Sequence, residues 1–93
     1  MNIALDFDDT YTKDPFLWNG FISNCLDRGH DIRIVTFRKS NMRDEMLDQL
    51  ELIIPVIYTE YLQKKHVTDQ MNWPVDIWID DSPHYIISEH YLP

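Results

Sequence analysis

Cationic side chains are scarce in this sequence: eight Lys and Arg stand against sixteen Asp and Glu, a formal net charge of −8. Nucleic-acid binding draws most of its affinity from cations that neutralise phosphates, so this balance argues against a DNA or RNA partner. A metal cation, or a small substrate presented with one, fits better. Cysteine is reduced to Cys25, which excludes an internal disulfide and removes any need for an oxidising compartment. Long apolar runs are missing as well. None approaches the roughly 20 residues of a membrane-spanning helix, so no membrane partner is expected. The opening Met1-Asn2-Ile3-Ala4-Leu5-Asp6 lacks a basic leader, and a soluble, cytoplasmic protein is expected. Repeats, low-complexity segments and Pro/Gly/Ser-rich linkers are also absent. Residues 1–93 should therefore form a single domain with no room for a second core.

A domain this short removes only about 60% of its unfolded surface from water, and should be marginal as a monomer. The aromatic residues (3 Trp, 5 Tyr and 4 Phe) compensate in part, because each large ring can bury roughly 150–250 Å². Whether some of those rings serve a homo-oligomeric contact is left open.

Apolar runs bounded by turn signals alternate with helical patterns, the signature of βαβ units and a parallel sheet. Ile3-Ala4-Leu5 is short and continuously apolar, as expected of a central strand buried on both faces. Asp14 and Pro15 provide an N-cap and a proline at the first helical position. Trp18, Phe21, Ile22 and Cys25 then recur at helical spacing until Gly29 stops the helix. Ile32 to Phe37 reads as the second strand. Ser40 is expected to cap a second helix whose first turns hold Asp44 and Glu45 and whose buried face is Met42, Met46 and Leu50. Pro55 to Tyr58 reads as a third strand, at a sheet edge because proline cannot donate to a ladder. Residues 60–70 are weakly helical, and Val75 to Ile79 reads as the fourth strand. Ser82-Pro83 should open a short helix carrying Ile86, Ile87 and Leu92. The fold class is α/β: a three-layer sandwich around a minimal, mostly parallel sheet of about four strands, with right-handed crossovers.

Ligands of such sheets sit outside the carboxyl ends of the strands. There the first strand runs into Asp6-Phe7-Asp8-Asp9-Thr10, the second ends at Thr36, and the fourth ends at Asp80-Asp81. If the first and fourth strands are neighbours, several carboxylates share one crevice. Two unit charges 4 Å apart repel by roughly 4 kcal/mol at an effective dielectric of 20. Either some of these acids are protonated or a cation neutralises them. Carboxylate oxygens completed by waters and substrate phosphate describe a Mg²⁺ site.

These segments resemble the motifs of the haloacid dehalogenase superfamily. Ile3-Ala4-Leu5-Asp6-Phe7-Asp8-Asp9-Thr10 is similar to its first motif, an apolar strand followed by DxDx[T/V]. Ile34-Val35-Thr36 is similar to the second, and Lys64, with Lys65 as the alternative, to the third. Ile77-Trp78-Ile79-Asp80-Asp81 is similar to the fourth in its double-aspartate form. The likeness covers most of the chain, keeps the family's order, and is greatest to short, single-domain members found in viral genomes, which would place it in the host cytoplasm.

The resemblance implies a phosphatase. Asp6 would attack phosphorus and form an aspartyl-phosphate. Asp8 would protonate the leaving oxygen and then deprotonate the hydrolytic water. Thr36 and Lys64 would hold the phosphoryl group, and Phe37 and Arg38 would join them in binding substrate. The implied cofactor is Mg²⁺, held by the Asp6 carboxylate, the Asp8 backbone carbonyl and Asp80, with Asp81 orienting bound water or taking Asp80's place as ligand. Asp9 departs from the pattern, since the family often has Gly there.

Neither the interval from Asp6 to Thr36 nor that from Thr36 to Lys64 has room for a cap domain, so the mouth should be open. The implied substrate is a nucleotide, sugar, phosphoprotein or other small phosphoester. The alternative is a non-catalytic module of the same fold that binds a metal-phosphate ligand or a partner protein. A receiver-like phospho-switch is excluded by motif order, because the double Asp comes last. The four histidines, at 30, 66, 84 and 90, share no zinc-ligand spacing. His84 reads as helix surface, Trp18, Phe21 and Trp78 as core, and Met42 and Met46 as helix packing.

Overall fold

The computed structural model describes residues 1–88. Its strands are β1 (Asn2–Leu5), β2 (Asp31–Thr36), β3 (Val56–Tyr58) and β4 (Ile77–Ile79), and its helices are α1 (Pro15–Asp27), α2 (Glu45–Glu51) and α3 (Lys64–Gln70). The strands form one sheet in the order β3-β2-β1-β4, with every pairing parallel. β1 is therefore inside the sheet, with Leu5 paired to Ile34 on one side and to Ile79 on the other. β3, which follows Pro55, is at an edge, as its proline predicts.

Strand alternation divides the core between two faces. Ile3, Leu5, Ile32 and Ile34 meet Ile22 and Cys25 of α1 and Leu47 and Leu50 of α2. Ala4, Val35 and Ile57 point the other way and meet Trp73, with Val67 of α3, Val75 and Trp78 packed around them. The layers are thus helices, sheet, helix. Trp73 is fixed by its indole N–H donating to Asp31 at 3.0 Å, with the Arg33 guanidinium 4.5 Å from its ring centre. Trp18 and Phe21 are half-buried against the first face.

The start of α1 follows its sequence signals. The Asp14 carboxylate accepts the Leu17 N–H at 3.2 Å, and Pro15 occupies the first turn. At the other end Gly29 takes φ 79°, and the His30 N–H returns to the Cys25 carbonyl at 2.9 Å. Only glycine enters that left-handed region without steric cost.

α2 differs from expectation. Its cap is Asp44, whose carboxylate accepts the Leu47 N–H at 2.9 Å, whereas the Ser40 N–H is taken by the Glu60 carboxylate at 2.7 Å. The buried face differs as well. Leu47 and Leu50 are 0% and 2% exposed, while Met42 and Met46 are 41% and 40% exposed, so the two methionines are not the buried face. Two further boundaries move. β4 begins at Ile77 rather than Val75, because the Asp76 N–H and carboxylate close onto the backbone of Asn2. The segment after Ser82 is a single 3₁₀ turn, Pro83–Tyr85, followed by Ile86 and Ile87; Leu92 lies outside the described residues. A second 3₁₀ turn, Tyr11–Lys13, lies between β1 and α1 and has no counterpart in the sequence reading. Among the described residues no helix is long and apolar enough to cross a membrane.

Asp44→Ala should cost about 0.5–2 kcal/mol of stability as a lost cap, and Ser40→Ala should stay within about 0.5 kcal/mol. Urea unfolding measures both. Equal losses would return the start of the helix to Ser40.

Candidate active site

The sheet order creates a switch point. The chain moves from β1 through β2 to β3 on one side, then returns to add β4 on the other side of β1. Open α/β sheets bind ligands outside the strands' carboxyl ends at such a point. Asp6 lies just past the end of β1, and its N–H bonds the Ile79 carbonyl of β4 at 2.9 Å. That bond carries the β1–β4 ladder one step further and brings Asp80 and Asp81 beside Asp6. Oxygens of these three carboxylates lie within 4.8 Å of one another.

Lys64, the first residue of α3, enters this group from the second face. Its side chain is 1% exposed, and Nζ donates to Asp6 at 2.7 Å and to Asp80 at 2.5 Å. Lys65 instead pairs with Asp69 on the surface of α3, at 2.7 Å. The Asp80 carboxylate also accepts the Ser82 N–H at 2.9 Å. Of its two neighbouring lysines, then, only Lys64 belongs to the acidic group.

Thr10, to which the motif pattern assigns no role, is a further member of this group. Its hydroxyl lies 3.0 Å from Asp6 Oδ2 and 3.3 Å from Asp81 Oδ1, and it accepts the Asp81 N–H at 3.3 Å. One hydroxyl thus ties the loop after β1 to the loop after β4. The signal for it was its place four residues after Asp6, where the turn brings side chains back over the strand end.

The other proposed residues are placed differently. The half-exposed Asp8 carboxylate faces Arg38, with paired contacts of 3.0 and 2.8 Å. Arg38 also donates to the Met42 carbonyl at 2.8 Å and lies 3.4 Å from Asp44. Thr36 is fully buried, and its hydroxyl oxygen accepts the Arg38 N–H at 3.4 Å. Asp9 has φ 61°, in the left-handed region that glycine enters without steric cost. Asp tolerates that region better than most residues, and the Asp9 N–H is held by Thr12 Oγ1 at 2.9 Å. His84 is exposed, with its ring 4.3 Å from that of Tyr85. A cleft of about 400 Å³ at the carboxylates is lined by Asp6, Asp8, Asp9 and Asp81 together with Phe37, Arg38, Tyr61 and Tyr85.

Burial raises the Asp6 pKa from its ordinary 3.8 to about 7, against the opposing pull of Lys64. A side-chain hydrogen bond between Asp6 and Asp81 adds to the rise, and the same bond is the main cause that lowers Asp81. One ammonium faces three carboxyl groups, so a shared proton or a cation must offset the remaining charge. The donor set consists of hard oxygens only, which suits Mg²⁺ or Ca²⁺ rather than a soft metal.

No family model, curated protein or solved structure matches this chain. What the fold and site define is a small, all-parallel α/β domain with a lysine-bridged carboxylate group at its switch point.

A carboxyl group whose pKa is higher in the folded than in the unfolded chain makes the folded state bind the extra proton. Its contribution therefore weakens stability as pH rises from about 4 to about 7. Metal-free protein should lose stability across that window more steeply than Asp6→Asn, and Mg²⁺ should reduce the difference. Parallel urea-unfolding profiles for the two proteins would show that burial does not hold the Asp6 proton.

Proposed function

We propose that this chain is a Mg²⁺-dependent phosphatase of the haloacid dehalogenase type, hydrolysing phosphomonoesters through an aspartyl-phosphate on Asp6. The observation that carries the reading is the buried Lys64 ammonium, bonded to Asp6 and Asp80 with Asp81 alongside. These are the residues to which the motif resemblance gives the nucleophile, the phosphate-holding lysine and the metal ligands. Asp6, Asp80 and Asp81 would hold Mg²⁺, which, when bound, neutralises the carboxylates and draws charge from the phosphoryl oxygens.

Asp6 Oδ attacks phosphorus in line as the bond to the ester oxygen breaks, and the leaving oxygen takes its proton from Asp8. Asp8 then removes a proton from water, which attacks the aspartyl-phosphate and releases inorganic phosphate and free Asp6. Lys64 contributes a fixed positive charge that needs no reorganisation during either step. Thr10 holds the Asp6 and Asp81 carboxyl groups in register. Asp8 lines the same cleft as Asp6, and must exchange its Arg38 contacts for the ester oxygen. Arg38 is then free to meet a phosphoryl oxygen, a planar guanidinium being suited to that contact.

The Asp8–Arg38 pair also favours a second reading, a non-catalytic module that binds a metal-phosphate ligand or partner protein while Asp8 stays engaged. Tight binding by calorimetry without turnover would support that reading instead.

With p-nitrophenyl phosphate and Mg²⁺, Asp6→Asn should lower kcat by on the order of 10³-fold or more. Asp8→Asn should lower it by about 10²–10⁴-fold. EDTA should abolish turnover and Mg²⁺ restore it. Wild-type, Mg²⁺-loaded protein that hydrolyses nothing across a broad phosphoester panel would overturn the phosphatase.

A further inference from the structure

Cleavage of a phosphate ester does not by itself require aromatic rings, yet three line the same cleft as the carboxylates. Phe37 follows β2, Tyr61 follows β3, and Tyr85 ends the 3₁₀ turn after β4. The Phe37 and Tyr85 rings stack at 4.3 Å, and the Tyr61 ring is tilted against Phe37 at 5.4 Å. Tyr61 and Tyr85 remain 49% and 39% exposed while lining the cleft, so these rings do not act as core.

Tyr61 reaches its place through an unfavourable backbone. Glu60 and Tyr61 both occupy the left-handed region, at φ 56° and 64°, where a bulky side chain is an outlier. Three bonds hold the turn there. The Tyr61 N–H donates to the Phe37 carbonyl at 2.9 Å, the Glu60 N–H to the Arg38 carbonyl at 3.2 Å, and the Ser40 N–H to the Glu60 carboxylate at 2.7 Å. Strain that persists on a cleft-lining ring points to use of that ring.

We propose that Phe37, Tyr61 and Tyr85 form a base-stacking subsite and that the substrates are nucleoside monophosphates. The inference rests on the phosphatase reading and names its substrate class. Aromatic faces stack on any nucleobase, which gives affinity without demanding one base. A cleft of about 400 Å³ is of small-molecule size. Asp8 and Asp9 in its lining, with a net charge of −8, disfavour a polynucleotide end or an acidic phosphopeptide.

The test compares AMP and dTMP with ribose 5-phosphate and a phosphotyrosine peptide, using Mg²⁺-loaded protein. Nucleotides should show KM at least about tenfold below ribose 5-phosphate, with kcat changing less. Tyr61→Gly, which adopts φ 64° without strain, should shrink that preference about tenfold, and Tyr61→Phe should retain it. Equal kcat/KM for AMP and ribose 5-phosphate, an unchanged preference in Tyr61→Gly, or preference for the peptide would each overturn the subsite. Calorimetry with AMP separates this inference from the phosphatase reading. AMP binding that is lost in Tyr61→Gly, without turnover of any ester, supports the subsite and removes the phosphatase. Absence of both AMP binding and AMP turnover, with other esters hydrolysed, removes the subsite alone.

Discussion

The Lys64 ammonium, buried between Asp6 and Asp80, is the contact on which the arrangement depends. Removing an ion from water costs several kcal/mol even after relaxation, so an unpaired ammonium here would not be tolerated. Its two partners come from the ends of different strands and are adjacent only because β4 lies directly beside β1. The lysine itself enters from α3, on the second face of the sheet. One ion pair therefore requires the strand order, the register and the placement of a helix together. It also leaves a charge imbalance, because Asp81 adds a third carboxyl group. Burial of Asp6 within that group raises its pKa to about 7, against the pull of Lys64.

Much of this was legible because strand ends are announced twice, by an apolar run that stops and by a polar cluster that follows. Ile3-Ala4-Leu5 before Asp6 and Ile77-Trp78-Ile79 before Asp80 carry both signals. Adjacency of the two strands was the condition on which the charge argument rested, and the parallel pairing of Leu5 with Ile79 meets it. The start of α2 was not legible. Ser40 and Asp44 are both acceptable caps, and a shift of four residues makes about one helical turn. Neither the sequence pattern nor cap preference separates Met46 from Leu47 as the buried position. That depends on how the segment after β2 is held, and it is held by Arg38 on the Met42 carbonyl and by Glu60 on the Ser40 N–H. Both contacts join residues across loops, where periodicity carries no information.

Thr10 and the Asp8–Arg38 pair were hidden for a related reason. A threonine after a strand is compatible with many turns, and only coordinates show its hydroxyl between two carboxyl groups. Arg38 was a plausible phosphate ligand from its position after Thr36. In the structure it makes two contacts with Asp8. The two roles are compatible if substrate exchanges with Asp8 for the guanidinium, since a phosphoryl oxygen and a carboxylate compete for the same donors. Such competition would couple occupation of the cleft to release of Asp8.

The absence of a cap follows the same economy. A lid is valuable where water would destroy a reactive intermediate. For a phosphatase, water is the second reactant, and an open cleft admits it. The mouth then has only to hold the leaving group in place. In the proposed reading that work falls to three short segments after β2, β3 and β4, linked through Phe37 to Tyr61 and Tyr85. Strand ends supply the charged chemistry from inside the sheet, and the loops that follow supply the rings around it. A chain of 93 residues can thus build both halves of a site from the same strands, without an inserted domain.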